Sequence, residues 1–459
     1  MALTSVAFFM VTLDTLIVVT ALPSIHRDLG ASLASLAWTI NAYALAAAAG
    51  IVSAAALGDR LGRRPVFAFG LGLFTFASVA GALAPSVDLL IAARALQGLA
   101  AAIVMPLSLT ILTGAFPAEK RGTIVGIWGG IAGLAVAAGP LMGGLIIQGL
   151  DWHWIFWLNV PVGVVTVAFS LKRIPSTRGI AARLDAPAAL LSAGASFAIV
   201  WGLVRGNQAG WGSAEILAAL GSGAALLAAL VAWERRASNP MLPPRLFRSR
   251  GFTAANATSF LNAAALTSAA FFIAQYFQMA RGDSPVAAGL HMLTWTATPI
   301  VVAPLAGRLS DKVGRRRIMV TGMILQALGV AWLALLGTVG VAYSALVLPS
   351  FIAGVGVSMV LPTAPTAALS SVPLSDIGKA SGVNSTLQRF GSAFGVAMTA
   401  AVFSATGHLG SAISFDAGFR PALALAAVFS AVGALAALAA AGKPARQLAP
   451  EAAAASAGA

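Results

Sequence analysis

The chain has 459 residues, 59% of them hydrophobic and only 9% charged, with a formal net charge of +14. Soluble domains carry roughly 25% charged residues, so this chain has too little polar surface for water, and a bilayer is the simpler solvent. The 48 Gly and 22 Pro fit that reading, because small residues let membrane helices approach closely. The absence of Cys excludes a disulfide framework, a thiol nucleophile and a Cys metal site.

A membrane helix needs roughly 20 mostly apolar residues. In chain order, fourteen runs are expected as spans: Thr4 to Leu22, Leu36 to Leu57, Val66 to Ala84, Leu89 to Ala115, Thr123 to Gln148, Ile155 to Leu171 and Ala186 to Val204; then Ile216 to Trp233, Phe252 to Met279, Gly289 to Ala306, Ile318 to Leu336, Tyr343 to Leu369, Ser381 to Thr406 and Pro421 to Ala441. The first run lacks a basic leader and holds an acid, so it reads as a first helix rather than a cleavable signal. The seventh and eighth runs are short and Ala-rich. The Ala-rich end after Lys443 reads as a disordered tail.

Lys and Arg set the orientation. With the N-terminus inside, inner loops hold 22 of the 28 basic residues, including Arg60, Arg63 and Arg64; Lys172 and Arg173; Arg235, Arg236, Arg245, Arg248 and Arg250; and Arg308, Lys312 and Arg315 to Arg317. Arg27, Arg205, Arg281 and Arg420 fall outside, and Arg94 and Arg389 lie within spans. Both termini are therefore expected inside. The same distribution explains the basic charge without nucleic acid.

One segment repeats. Asp59-Arg60-Leu61-Gly62-Arg63-Arg64 follows the second span, and Asp311-Lys312-Val313-Gly314-Arg315-Arg316 follows the tenth. Two six-span halves with spans seven and eight inserted between them put both copies in equivalent turns. Secondary transporters are commonly built from such repeated halves.

These residues resemble the major facilitator superfamily, specifically its fourteen-spanner drug:proton antiporters. The resemblance rests on Leu13-Asp14-Thr15 with Ala21-Leu22-Pro23 in helix 1, Asp59 to Arg64 in loop 2–3, and Arg94-Ala95-Leu96-Gln97-Gly98 in helix 4. It continues with Gly139-Pro140-Leu141-Met142-Gly143-Gly144 in helix 5 and Asn159-Val160-Pro161-Val162-Gly163 in helix 6, all in the expected order. Ala55 and Ala135 stand where the family motifs open with Gly, and the tenth span lacks the acid that some dication exporters carry. The resemblance implies an all-α integral membrane protein of fourteen transmembrane helices: a six-helix bundle over 1–174, a two-helix insert with linkers over 175–250, a six-helix bundle over 251–442 and a cytoplasmic tail over 443–459. It also implies a multi-pass, monomeric protein of the bacterial inner membrane that exports amphipathic drugs or antibiotics on the proton gradient. No cofactor or metal is implied, and lipids, protons and a small amphipathic substrate are the partners. A lipid or precursor flippase, or a metabolite transporter, of the same fold is the alternative, because a fold alone does not decide function. A receptor that binds without flux is a third reading. No nucleotide-binding loop or paired catalytic carboxylates are evident, which argues against an ATP-driven pump or an enzyme.

Asp14 is the most informative residue. The other acids lie in loops or near span ends, whereas Asp14 sits near mid-membrane, where a charge costs roughly 2.5–3.5 kcal/mol on insertion scales. It is the expected proton carrier, or else a structural carboxylate paired with an Arg. Arg94, at similar depth, is expected to tune Asp14 or to tether helices with Gln97. Gly139, Pro140, Gly143 and Gly144 read as a hinge or seal, or as ordinary close packing. Asp59, Arg60, Arg63, Arg64 and Asp311 read as latches holding one face closed, or as topology anchors. Trp38, Asn41, Tyr43, Gln97, Asn256, Asn262, Tyr276 and Gln388 are expected to line a largely apolar substrate cavity with few polar handles.

Overall fold

A computed structural model describes residues 1–116, 118–175, 185–237, 240, 243–373 and 376–440; within it only the backbone is described at 52, 55, 56, 118–123, 125–127, 129 and 132. The expected tail over 443–459 lies outside these residues, as do Arg178 and Arg183.

The described chain is helical. The helices are α1 (Ala2–Leu29), α2 (Leu33–Leu61), α3 (Arg63–Ala82), α4 (Val87–Gly114), α5 (Ala118–Gly149), α6 (Trp154–Trp157), α7 (Asn159–Arg173), α8 (Ala186–Ala209) and α9 (Ala214–Arg236). They continue with α10 (Arg250–Gln275), α11 (Pro285–Thr296), α12 (Thr298–Val313), α13 (Arg315–Leu336), α14 (Tyr343–Leu369), α15 (Ile377–Thr406) and α16 (Ala412–Leu438). Hydrocarbon offers no hydrogen bonds, so each segment satisfies its backbone internally. Serine side chains at the starts of α2, α4, α9, α10, α11 and α16 accept a backbone N–H and cap those helices.

Twelve described stretches are long and apolar enough to cross a membrane. They include α8 and α9, the two expected spans with the weakest sequence signal. The fifth and thirteenth expected spans are occupied by α5 and α15, 32 and 30 residues long. The outward surface is apolar: Phe69 and Phe76 on α3 and Leu83 at its C-cap form one exposed stripe, at 61–64% exposure, while Phe67, Leu71 and Phe74 on the other face of α3 are buried. A soluble monomer does not show such surfaces.

Two expected spans are broken. The sixth divides into α6 and α7 at Leu158, and the tenth into α11 and α12 at Ala297. Pro161 and Pro299 lie just beyond these breaks. Proline has no N–H to give to the preceding turn but fits a new first turn. Hydropathy is blind to this, so the sequence reading runs each pair together.

The packing repeats. In the first six spans α1 packs on α5, α2 on α4, and α3 on α4 and α7; in the last six α10 packs on α15, α12 on α14, and α13 on α14 and α16. The two sets meet along α2 with α15 and along α5 with α11 and α12. The hairpin α8–α9 sits against α2 and α15 through α8. The repeated turns share a backbone: Gly62 (φ 105°, ψ 133°) and Gly314 (φ 95°, ψ 136°) adopt the same positive-φ conformation. That conformation favours glycine. In each turn an acid faces the Arg four residues on, Asp59 with Arg63 at 2.9 Å and Asp311 with Arg315 at 3.8 Å.

On the face away from the N-terminus, α5 and α11 touch backbone to backbone. A Cβ on Gly144 would collide with the Pro285 carbonyl, and one on Gly289 with the Pro140 carbonyl. Overpacking of this kind costs about 1–3 kcal/mol. Gly144→Ala is therefore expected to lower stability by about that amount in detergent unfolding, while Gly72→Ala, whose Cβ meets nothing within 4 Å, stays within about 0.5 kcal/mol of wild type. Equal effects of the two substitutions would refute the close contact.

Candidate functional site

The polar centre of the first six spans is built around Asp14. Asp14 on α1 and Arg94 on α4 are each 1% exposed. Asp14 Oδ2 accepts from Arg94 Nη1 at 2.5 Å. Its Oδ1 accepts from Asn159 Nδ2 on α7 at 2.9 Å and from Gln97 Nε2 on α4 at 3.2 Å. Arg94 also donates to Gln97 Oε1 at 2.7 Å and to the Thr39 carbonyl on α2 at 3.2 Å. Its guanidinium lies 4.4 Å from the centroid of the Tyr43 ring, a cation–π contact. Gln97 donates to Ser78 Oγ on α3 at 2.9 Å.

Five helices thus contribute to one node. In a low-dielectric interior an ion pair is tolerable only when its other polar atoms are also partnered; here both Asp14 oxygens and the Nε and Nη1 of Arg94 are. The spacing of Arg94 and Gln97 puts both on one face of α4. One turn further along, Gly98 lets α4 close on the Tyr43 carbonyl, where a Cβ would collide. That approach brings Arg94 under the Tyr43 ring.

The other expected site residues are dispersed. Asn256, Asn384 and Gln388 form an amide chain between α10 and α15: Gln388 donates to Asn384 at 2.5 Å, and Asn384 donates to Asn256 at 3.1 Å and to Ser259 at 2.9 Å. Asn41 is buried with neither amide atom partnered, and Asn262 is buried with its Oδ1 unpartnered. Tyr276 stands apart, in a π-helical turn (Tyr276–Ala280) after α10, stacked on Phe419 at 4.5 Å and donating to the Thr338 carbonyl at 2.9 Å. Trp38 faces α8, packing near Phe197 and Trp201, and lines a lateral cavity of about 530 Å³ between α2, α4 and α8.

Gly139 and Gly143 press α5 onto Leu16, Ile17 and Thr20 of α1, and Gly144 and Pro140 press it onto α11. Asp59 pairs within its own turn, Arg64 donates to the Ile174 carbonyl at the end of α7 at 3.4 Å, and Arg60 is exposed. The contacts of Asp59 and Arg64 stay within the first six spans. Asn159, Ser78 and Thr39 are the node residues that the sequence reading passed over. Asn159 stood inside a quoted motif; Ser78 and Thr39 carry no signal in one dimension.

Removing one member of a buried pair strands the other and costs about 3–5 kcal/mol. Arg94→Gln is expected to lose that much stability in detergent, and Asp14→Asn/Arg94→Gln to regain a large part of it. A double variant no more stable than the sum of the single losses would mean that the two charges do not depend on each other.

The comparisons agree with this architecture. The profile of the Major Facilitator Superfamily matches residues 4–274 and 252–458. The chain is 34% identical to the tetracenomycin C resistance and export protein of Streptomyces glaucescens over 399 residues, which cover 86% of this chain and 73% of that protein. It is 34% identical to the cephamycin export protein of Amycolatopsis lactamdurans over 439 residues, 94% of this chain and 89% of that protein. It is 36% identical to the multidrug resistance protein Stp of Mycobacterium tuberculosis over 405 residues, 88% of this chain and 75% of that protein. The fold is similar to that of a POT family transporter in complex with a thioalcohol-conjugated peptide, with a TM-score of 0.70 at 14% identity over 94% of both chains. It is also similar to that of the nucleoside transporter NupG, with a TM-score of 0.67 at 15% identity over 95% of this chain and 98% of that one. The chain is a multi-pass membrane transporter, not an enzyme, and it belongs to the major facilitator superfamily.

Proposed function

We propose that the chain is a proton-coupled exporter of amphipathic drugs or antibiotics, working by alternating access in a bacterial inner membrane with Asp14 as the proton carrier. The observation that carries this reading is the buried Asp14–Arg94 pair, 2.5 Å apart among partners that hold both ions. Protonation would cancel the attraction that ties α1 to α4. Arg94 would keep Gln97 and the Thr39 carbonyl as acceptors but lose its counter-charge, so the node would loosen. Three similar proteins that span most of the chain bear names of export or resistance proteins, which supports outward transport of drug-like cargo.

The arrangement that goes with this reading has fourteen spans. Bundles over 1–174 and 251–442 flank a two-helix insert over 175–250, and a monomer suffices, because both bundles come from one chain. The basic turns and the mirrored packing support both termini lying inside. On that orientation the face closed by α5 and α11 is the outer one, with Gly139, Pro140, Gly143 and Gly144 as its seal. Asp59, Arg60, Arg63, Arg64 and Asp311 stiffen the inner turns. Cargo would bind between the bundles, near Tyr43, Asn41, Asn262 and Gln388.

In liposomes with an imposed pH gradient, Asp14→Asn is expected to abolish gradient-driven export of a transported drug while binding is retained. Undiminished export would sink the assignment. Because the native chain has no Cys, topology is open to single-cysteine labelling. Gly212→Cys, between α8 and α9, should react with a membrane-impermeant maleimide in intact cells, and Arg248→Cys should react only after lysis. The reverse pattern would invert the orientation.

A further inference from the structure

The two sets of six spans meet at a narrow cleft of about 30 Å³, lined by Thr15, Tyr43 and Arg94 from α1, α2 and α4 and by Thr267, Arg389 and Ser392 from α10 and α15. Two arginines face it, and they differ. Arg94 is neutralised by Asp14 and held by Gln97 and the Thr39 carbonyl. Arg389 sits near the middle of the 30-residue α15, and among the described residues it pairs with no carboxylate. Its Nη2 lies 2.9 Å from Met105 Sδ on α4, a weak acceptor for a group with five N–H donors. Asp14 is paired with Arg94 and accepts further from Gln97 and Asn159.

An intramembrane Arg without a counter-ion is costly, and such groups mark ligand paths. The guanidinium fork matches a carboxylate in two parallel bonds. A further donor lies in the same cleft: Ser392 Oγ accepts from Thr267 at 3.0 Å, which leaves its own proton for an incoming acceptor. Tyr43 and Met105 supply an aromatic and a soft apolar surface beside these donors.

We propose that Arg389 anchors an anionic group of the cargo, so that the central site takes amphipathic acids with a carboxylate-sized anion in preference to their neutral analogues. The proposal rests on the export reading and names its substrate class. The cleft holds about one water in this arrangement, so cargo enters when the two sets of spans part along α2 and α15. Cargo and proton need not touch; they compete when each favours a different arrangement of the halves. An anion leaving the cell also moves with an inside-negative potential rather than against it.

The test is titration calorimetry of the full chain in lipid nanodiscs with naphthoate, indoleacetate and pyrenebutyrate, each against its carboxamide. At least one acid is expected to bind at least tenfold more tightly than its amide. Arg389→Gln should erase that ratio by weakening the acid alone, and Arg389→Lys should keep part of it. Equal binding of all three pairs by wild type, or a ratio that survives Arg389→Gln, overturns the proposal. If the Gln variant fails to fold, the wild-type ratio and the Lys variant still decide. These measurements use no gradient. Equal binding together with intact pH-driven export would remove this inference and leave the export reading, whereas acid preference without gradient-driven flux would do the opposite.

Discussion

A charged pair in hydrocarbon has to be enclosed. Asp14 and Arg94 meet at 2.5 Å with almost no exposure, and each remaining donor or acceptor must find a partner, because an unmet one in low dielectric costs far more than in water. The need for those partners draws in Thr39 from α2, Ser78 from α3, Gln97 from α4 and Asn159 from α7. Gly98 completes the arrangement by allowing α4 to close on the Tyr43 carbonyl. The relative placement of five helices follows from one ion pair and one missing side chain.

The last six spans solve the same burial problem without a pair. Asn256, Ser259, Asn384 and Gln388 pass hydrogen bonds between α10 and α15 as neutral groups. Neutral amides carry a much smaller desolvation penalty than ions, so this contact needs no counter-charge. Charge chemistry is thereby concentrated on one side of the central cleft, and the single formal charge that the other side presents there is Arg389.

Much of the architecture was legible in one dimension. The apolar runs found the helices, and the repeated Asp-basic-x-Gly-Arg-Arg segment located two turns whose glycines share one positive-φ conformation. The depth argument that put Arg94 near Asp14 was also sound, since rise per residue is a property of the helix alone. What sequence did not reveal depends on rotation and on neighbours. Tyr276 and Trp38 are polar-aromatic residues within spans, like Tyr43, yet Tyr276 stacks on Phe419 and Trp38 turns toward α8. Composition cannot tell these faces apart. The breaks at Leu158 and Ala297 escaped for a different reason: a hydropathy window averages over the proline that causes them.

The two kinds of contact in this molecule suit opposite tasks. The node around Asp14 is directional and charged, so while both groups stay ionised it resists any sliding of α1 past α4. The contact of α5 with α11 is close approach of backbones at Gly144 and Gly289. That contact rests largely on dispersion, with one hydrogen bond from the Val286 N–H to Gln148 Oε1 at 3.3 Å and no ion to desolvate, and many weak terms are lost and regained together when two helices part. For the proposed cycle this divides the labour. The bundles move as units about the Asp14 node and the amide chain of α10 and α15, and they part at the contacts between them, α2 with α15 and α5 with α11. A proton arriving at Asp14 acts on the one rigid node that a change of charge can loosen.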